Sequence, residues 1–103
     1  MMKKEIYIYI DDMRQPFIHN AIWVKSYDEA IAAMRSAVEE MNIPIALTID
    51  FDHDLGEEKT GYDFAKWLIE QNYIGKFRIH SMNPVGASNI RQLLKHYGWI
   101  EIF

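Results

Sequence analysis

Residues 45–56 read IALTIDFDHDLG, and this stretch decides the fold. Ile45 to Phe51 is a nearly continuous apolar run, the pattern of a strand covered on both faces and therefore central in a parallel sheet. Asp50, Asp52, His53 and Asp54 close it. Carboxylates this close repel one another and resist desolvation, so the cluster calls for a metal ion, a cationic ligand or water.

Working outward, Glu5 to Ile10 (EIYIYI) is rich in β-branched and aromatic residues and ends abruptly at Asp11-Asp12, as a buried strand entering a polar loop does. Residues 13–20 contain Pro16 and no helical period, a loop, and Ala21 to Lys25 is a short strand. Ser26 and Glu29 form an S-x-x-E capping box, and Ala30, Ile31, Met34, Val38 and Met41 share one face of a helix over about 27–41. Pro44 punctuates it.

Downstream of the acidic cluster, a GEEK loop precedes Thr60-Gly61, and the apolar period from Tyr62 predicts a helix to about Gln71. A strand follows over Phe77 to Ser81, then a helix opened by Pro84 and running to about Tyr97. Gly98 stops that helix before a last strand in WIEIF. The order β-β-α-β-α-β-α-β predicts an α/β domain over 1–103, with a mostly parallel five-stranded sheet between helices on both faces, a three-layer sandwich.

Composition narrows the function classes. A chain of 103 residues with 50% hydrophobic and 14% aromatic residues can bury one self-sufficient core. Eleven Lys plus Arg against fifteen Asp plus Glu, a net charge of −4, argue against duplex DNA as a partner. The absence of cysteine excludes disulfides and thiolate metal sites. The apolar stretch near the N-terminus is too short for a signal peptide or a membrane span, so a cytoplasmic protein without a membrane partner is expected, as monomer or homodimer.

Ligands of open α/β sheets bind outside the carboxyl ends of the strands. Three informative stretches fall at such ends: Asp11-Asp12, Asp52-His53-Asp54, and His80-Ser81 with Asn83. The predicted topology brings them to one rim.

An acidic pair closing the first strand, an aspartate closing the third and a small hydroxyl residue closing the fourth resemble the receiver domains of two-component signalling. There the acids bind magnesium and one aspartate accepts a phosphoryl group. The pattern departs from receivers in lacking a lysine and a helix after the fifth strand, and the helix between the first two strands. The sequence is more similar to an offshoot, the cyclic-phosphate-processing receiver (cREC) family, with its motifs D-D-x-R-x-P, D-H-D-L-G, T-G-Y-D and H-S-x-N-P-x-G-x-x-N. Here these stand as DDMRQP at 11–16, DHDLG at 52–56, TGYD at 60–63 and HSMNPVGASN at 80–89, nearly the whole chain. The resemblance implies a reduced receiver-like, flavodoxin-like fold without the first and last helices, and a role in processing cyclic phosphates. It also implies that Gly86 and Asn89 lie with Ser81 and Asn83 among the ligand-binding residues.

The residues support chemistry of their own. Asp11, Asp12, Asp52 and Asp54 offer the oxygen ligands that Mg²⁺ or Mn²⁺ prefers when it also bridges a phosphate; the alternative is that some of them cap loops or helices. Asp50 reads as a further ligand or as a buried partner of Arg14. His53 and His80 are candidates for proton transfer, and Asp52 joins them as a catalytic residue. Free N–H groups after Ser81 and Asn83, with Arg14, make a phosphate site, although Asn83 also reads as an ordinary N-cap. Tyr62 reads as core more readily than as a base-stacking ring, and His19 and His96 as structural.

Together with the resemblance, which implies the cyclic phosphate, these features predict a metal-assisted phosphoesterase acting on a cyclic phosphate, either a 2′,3′-cyclic end, as on RNA, or a cyclic nucleotide. Two alternatives stay open: a module that binds a small phosphorylated ligand without turning it over, and a phosphoacceptor switch in which Asp52 or Asp54 takes a phosphoryl group.

Overall fold

A computed structural model describes residues 3–39 and 44–102. Its elements are β1 (Lys4–Ile10), β2 (Ile22–Val24), α1 (Tyr27–Glu39), β3 (Ile45–Phe51), α2 (Gly61–Glu70), β4 (Lys76–Ile79), α3 (Pro84–His96) and β5 (Ile100–Glu101). The end of the helix expected to reach residue 41 lies outside the described residues.

The five strands form one sheet in the order β2-β1-β3-β4-β5, and every neighbouring pair is parallel. β3, with strands on both sides, is central as its apolar run predicts. The receiver-like α/β class holds.

The layering differs from expectation. Register pairs Ile6 with Leu47, Ile8 with Ile49, Ile10 with Phe51 and Ile49 with Phe77, placing these side chains on one face. There they join a single core with Ala30 and Met34 of α1, Phe64, Ala65 and Leu68 of α2, and Ile90 and Leu94 of α3. All three helices therefore pack on the same face, giving two layers instead of three. Connection handedness explains this. The steps from β2 to β3, β3 to β4 and β4 to β5 run in the same direction across the sheet, so right-handed crossovers put their helices on one side. Only the step from β1 to β2 runs the other way, and it is a loop.

That loop lies along the opposite face, where Arg14, Gln15, Phe17 and Ile18 border a groove floored by Tyr9, Asp50 and Arg78. A cross-strand row runs through this face: Trp23, Tyr9, Asp50 and Arg78 are successive partners on β2, β1, β3 and β4.

Local signals fix the helix starts. The Ser26 hydroxyl accepts the Glu29 N–H at 3.1 Å, while the Glu29 carboxylate reaches the Lys25 N–H at 3.2 Å. Thr60 and Asp63 form a full capping box on α2. Asn83 caps α3, with Pro84 in the first turn and the Gly86 N–H donating to Asn83 Oδ1 at 2.9 Å. Gly98 takes the left-handed conformation just beyond α3, φ 89°, as the stop there requires.

Candidate functional site

Asp11, Asp52 and His80 follow the carboxyl ends of β1, β3 and β4, and one ligand atom from each lies within 4.8 Å of the others. The rim expected from the sequence is therefore real for these three residues. Asp12 and Asp54, expected to join them as ligands, are not in that group. Asp12 Oδ2 turns toward Gly56, where an added Cβ would come within 2.7 Å of it. Asp54 is exposed and accepts from His53 Nδ1 at 2.9 Å.

Asp11 is 1% exposed. Burial of so small an acid disfavours its charge, but the Arg14 and Met13 N–H groups donate to Oδ1 at 2.9 and 2.8 Å and His80 lies against Oδ2 at 3.0 Å. These partners outweigh burial and hold Asp11 below the usual carboxylate range. The Trp23 indole N–H also donates to the Asp11 carbonyl at 2.8 Å, tying β2 to the rim.

His80 is held from both sides. Its Nδ1 lies 2.6 Å from Asp50 Oδ1, its Nε2 lies 3.0 Å from Asp11 Oδ2, and Tyr9 stacks on the ring at 4.6 Å with a 1° interplanar angle. Burial works to lower its pKa, but Asp50 and then Asp11 outweigh that penalty and raise it. Only the imidazolium has a proton for each carboxylate, so this geometry selects the cation. Asp50, 3% exposed, is thus a partner of His80, and the Tyr7 hydroxyl donates to its other oxygen at 3.0 Å. The expected pairing of Asp50 with Arg14 is replaced by these contacts, although Arg14 lines the same groove.

Asp52 has the opposite electrostatics. Burial and the charge of Asp11 raise its pKa, against a hydrogen bond from the His53 N–H at 2.8 Å and the nearby Ser81 hydroxyl. Ser81 also accepts the Asn83 N–H at 3.0 Å.

His53 forms a second unit. With Nδ1 directed at Asp54, whose carboxyl this contact holds below its usual range, the tautomer that donates from Nδ1 leaves Nε2 as the lone-pair nitrogen. The Asn83 amide nitrogen lies 3.4 Å from both His53 Nδ1 and Asp54 Oδ2. Gly86 faces the same ring so closely that a Cβ would overlap the imidazole. Its role here is to seat His53 against α3. Asn89 lies farther along α3 on a shallow surface with Tyr62 and Tyr97, away from the three-residue cluster.

Sequence reasoning missed Tyr7, Tyr9, Trp23 and Arg78. The signal was present: in EIYIYI the isoleucines and tyrosines alternate strictly, which marks two different faces for β1.

No curated protein and no solved structure matches the chain significantly. A family model described as the cyclic-phosphate processing receiver domain matches residues 6–96, from within β1 to the end of α3. That span holds every residue of the rim, and the chain belongs to the cyclic-phosphate processing receiver domain family.

Proposed function

We propose that the protein is a phosphoesterase that opens a cyclic phosphate at this rim with the help of a divalent cation. The observation that carries the reading is the convergence of Asp11, Asp52 and His80 at the strand ends, next to a separate histidine–carboxylate pair, His53 with Asp54.

The donor set fits a cation. The Asp11 and Asp52 carboxylates each offer one oxygen to a common point, and Asp52 is half-buried beside the charge of Asp11, a repulsion that a cation relieves. Asp11 and Asp52 would hold Mg²⁺ or Mn²⁺, while His80, kept as its imidazolium between Asp50 and Asp11, stays a proton donor beside the ion. The bound ion would supply Lewis-acid polarisation of a phosphoryl oxygen.

The chain's own residues divide the remaining work. His53, oriented by Asp54, takes a proton from the attacking water at Nε2 as that water forms its bond to phosphorus. The ester oxygen of the ring departs and needs a proton, which the His80 imidazolium provides. Arg14 and the Ser81–Asn83 turn bear the phosphate charge. Purified protein incubated with nucleoside 2′,3′-cyclic phosphates, with manganese or with chelator, should give metal-dependent linear monophosphate by chromatography. Full turnover by both His53→Ala and His80→Ala would refute this assignment of roles.

A second reading is favoured by one contact pattern. Because both nitrogens of His80 are already committed to carboxylates, the rim also suits a module that binds a cyclic phosphate without opening it. Calorimetry showing saturable binding, with the ligand recovered intact, would select this reading.

A further inference from the structure

Beyond Arg14 and His80, the phosphoesterase reading leaves unused the residues of the groove on the helix-free face of the sheet. Its volume is about 430 Å³, and Tyr9, Arg14, Phe17, Asp50, Arg78 and His80 are among its lining residues. His80 belongs both to this groove and to the rim cluster, so the two spaces are continuous. Three observations bear on what enters it.

The Phe17 side chain is 104% exposed at the edge of the groove, and Ile18 beside it is 38% exposed. An aromatic ring left wholly in water has apolar area to gain from any flat partner. Two guanidinium groups, Arg14 and Arg78, line the space, and the amide of Gln15 lies with them. Arginine and glutamine present planar donor arrays suited to the acceptor edges of heteroaromatic rings. Finally, Asp50 is already engaged by His80 and Tyr7, which reduces its opposition to an acceptor-rich ligand.

Resting on the proposed function, we infer that this groove is a nucleobase subsite, so that the cyclic phosphate processed at the rim is that of a nucleoside. The base lies against Phe17 with its polar edge toward Arg78 and Gln15, and the phosphate extends past His80 to the rim.

The test is a pair of probes: guanosine or adenosine 2′,3′-cyclic monophosphate, and 1-O-methylribose 2′,3′-cyclic phosphate, which keeps the ring phosphate and lacks the base. Calorimetry on the full chain should show the nucleotide binding at least about tenfold more tightly, in line with the usual contribution of one stacked base. In Phe17→Ala and in Arg78→Ala that ratio should fall toward one. Because Phe17 is exposed, its truncation removes no buried contact, and folding of each variant is read by circular dichroism. Amide resonances of Arg14, Gln15, Phe17 and Ile18 should move with the nucleotide and stay still with the base-free probe. Equal affinity for the two probes, or a ratio unmoved in both folded variants, would overturn the subsite while leaving the phosphate chemistry standing. Failure of every cyclic phosphate to bind would overturn both readings.

Discussion

His80 shows how one residue can set the chemistry of a rim. A neutral imidazole has one N–H, and a carboxylate faces each of its nitrogens, at 2.6 Å for Asp50 and 3.0 Å for Asp11. The folded protein therefore binds the proton more tightly than the unfolded chain, whose His80 has an ordinary pKa near 6.5. Linkage gives the sign: the stabilisation is fully present below about 6.5 and is lost as pH rises through the higher folded-state value. Urea midpoints of chelator-treated protein should fall across that window, and the His80 ring resonances should titrate above the ordinary imidazole value. Asp50→Asn keeps a hydrogen-bonding group but removes the charge. It should cost roughly 1.5–3 kcal/mol below the window, the scale of a hydrogen bond to a charged group, and flatten the pH dependence. A fall of the same size and pH profile in both proteins would show that His80 is not the linked group.

At the scale of elements, helix N-termini hold the site loops in place. The Gly61 N–H at the start of α2 donates to the His53 carbonyl at 2.8 Å, and a Cβ on Gly61 would overlap the Asp52 carbonyl. The Thr60–Asp63 capping box fixes this start, so Thr60→Ala should lower stability by about 1 kcal/mol in chemical denaturation. Gly86→Ala sets two effects against each other. Alanine gains about 1 kcal/mol of helix propensity, whereas overpacking against the His53 ring costs about 1–3 kcal/mol. Net destabilisation is expected, together with displacement of His53 from Asp54, visible as a shift of the His53 ring resonances and a loss of turnover. The strands and helices were legible because turn residues and apolar periods punctuate the chain: Ser26, Pro44, Thr60, Pro84 and Gly98 each mark a real boundary or lie within two residues of one. The three strand ends were legible for the same reason. The side of the sheet that the helices cover was not, because it depends on strand order, and no local pattern encodes that order. Nor was the Asp50–His80 contact, which joins residues 30 apart through register alone.

Over the whole molecule, the proposed function and stability pull Asp52 in opposite directions. Burial and the neighbouring charge of Asp11 raise its pKa, so near neutral pH its ionised carboxyl opposes folding. The sign is the reverse of that for a stabilising carboxylate: protonation, or replacement by a neutral isostere, relieves the folded state. A cation held between Asp11 and Asp52, as proposed, would relieve it too, and an ion that binds the folded chain alone would raise the melting temperature with concentration. Asp52→Asn should therefore melt above the wild type in chelator, retain the hydrogen bond from the His53 N–H, and lack the manganese-induced rise expected of the wild type. Sites kept for function at a cost to folding commonly show this crossing of stabilities. Thermal denaturation of the two proteins across a manganese titration supplies the measurement. If Asp52→Asn melted below the wild type in chelator and gained as much from manganese, Asp52 would be a structural hydrogen-bond acceptor and the cation would have to bind elsewhere.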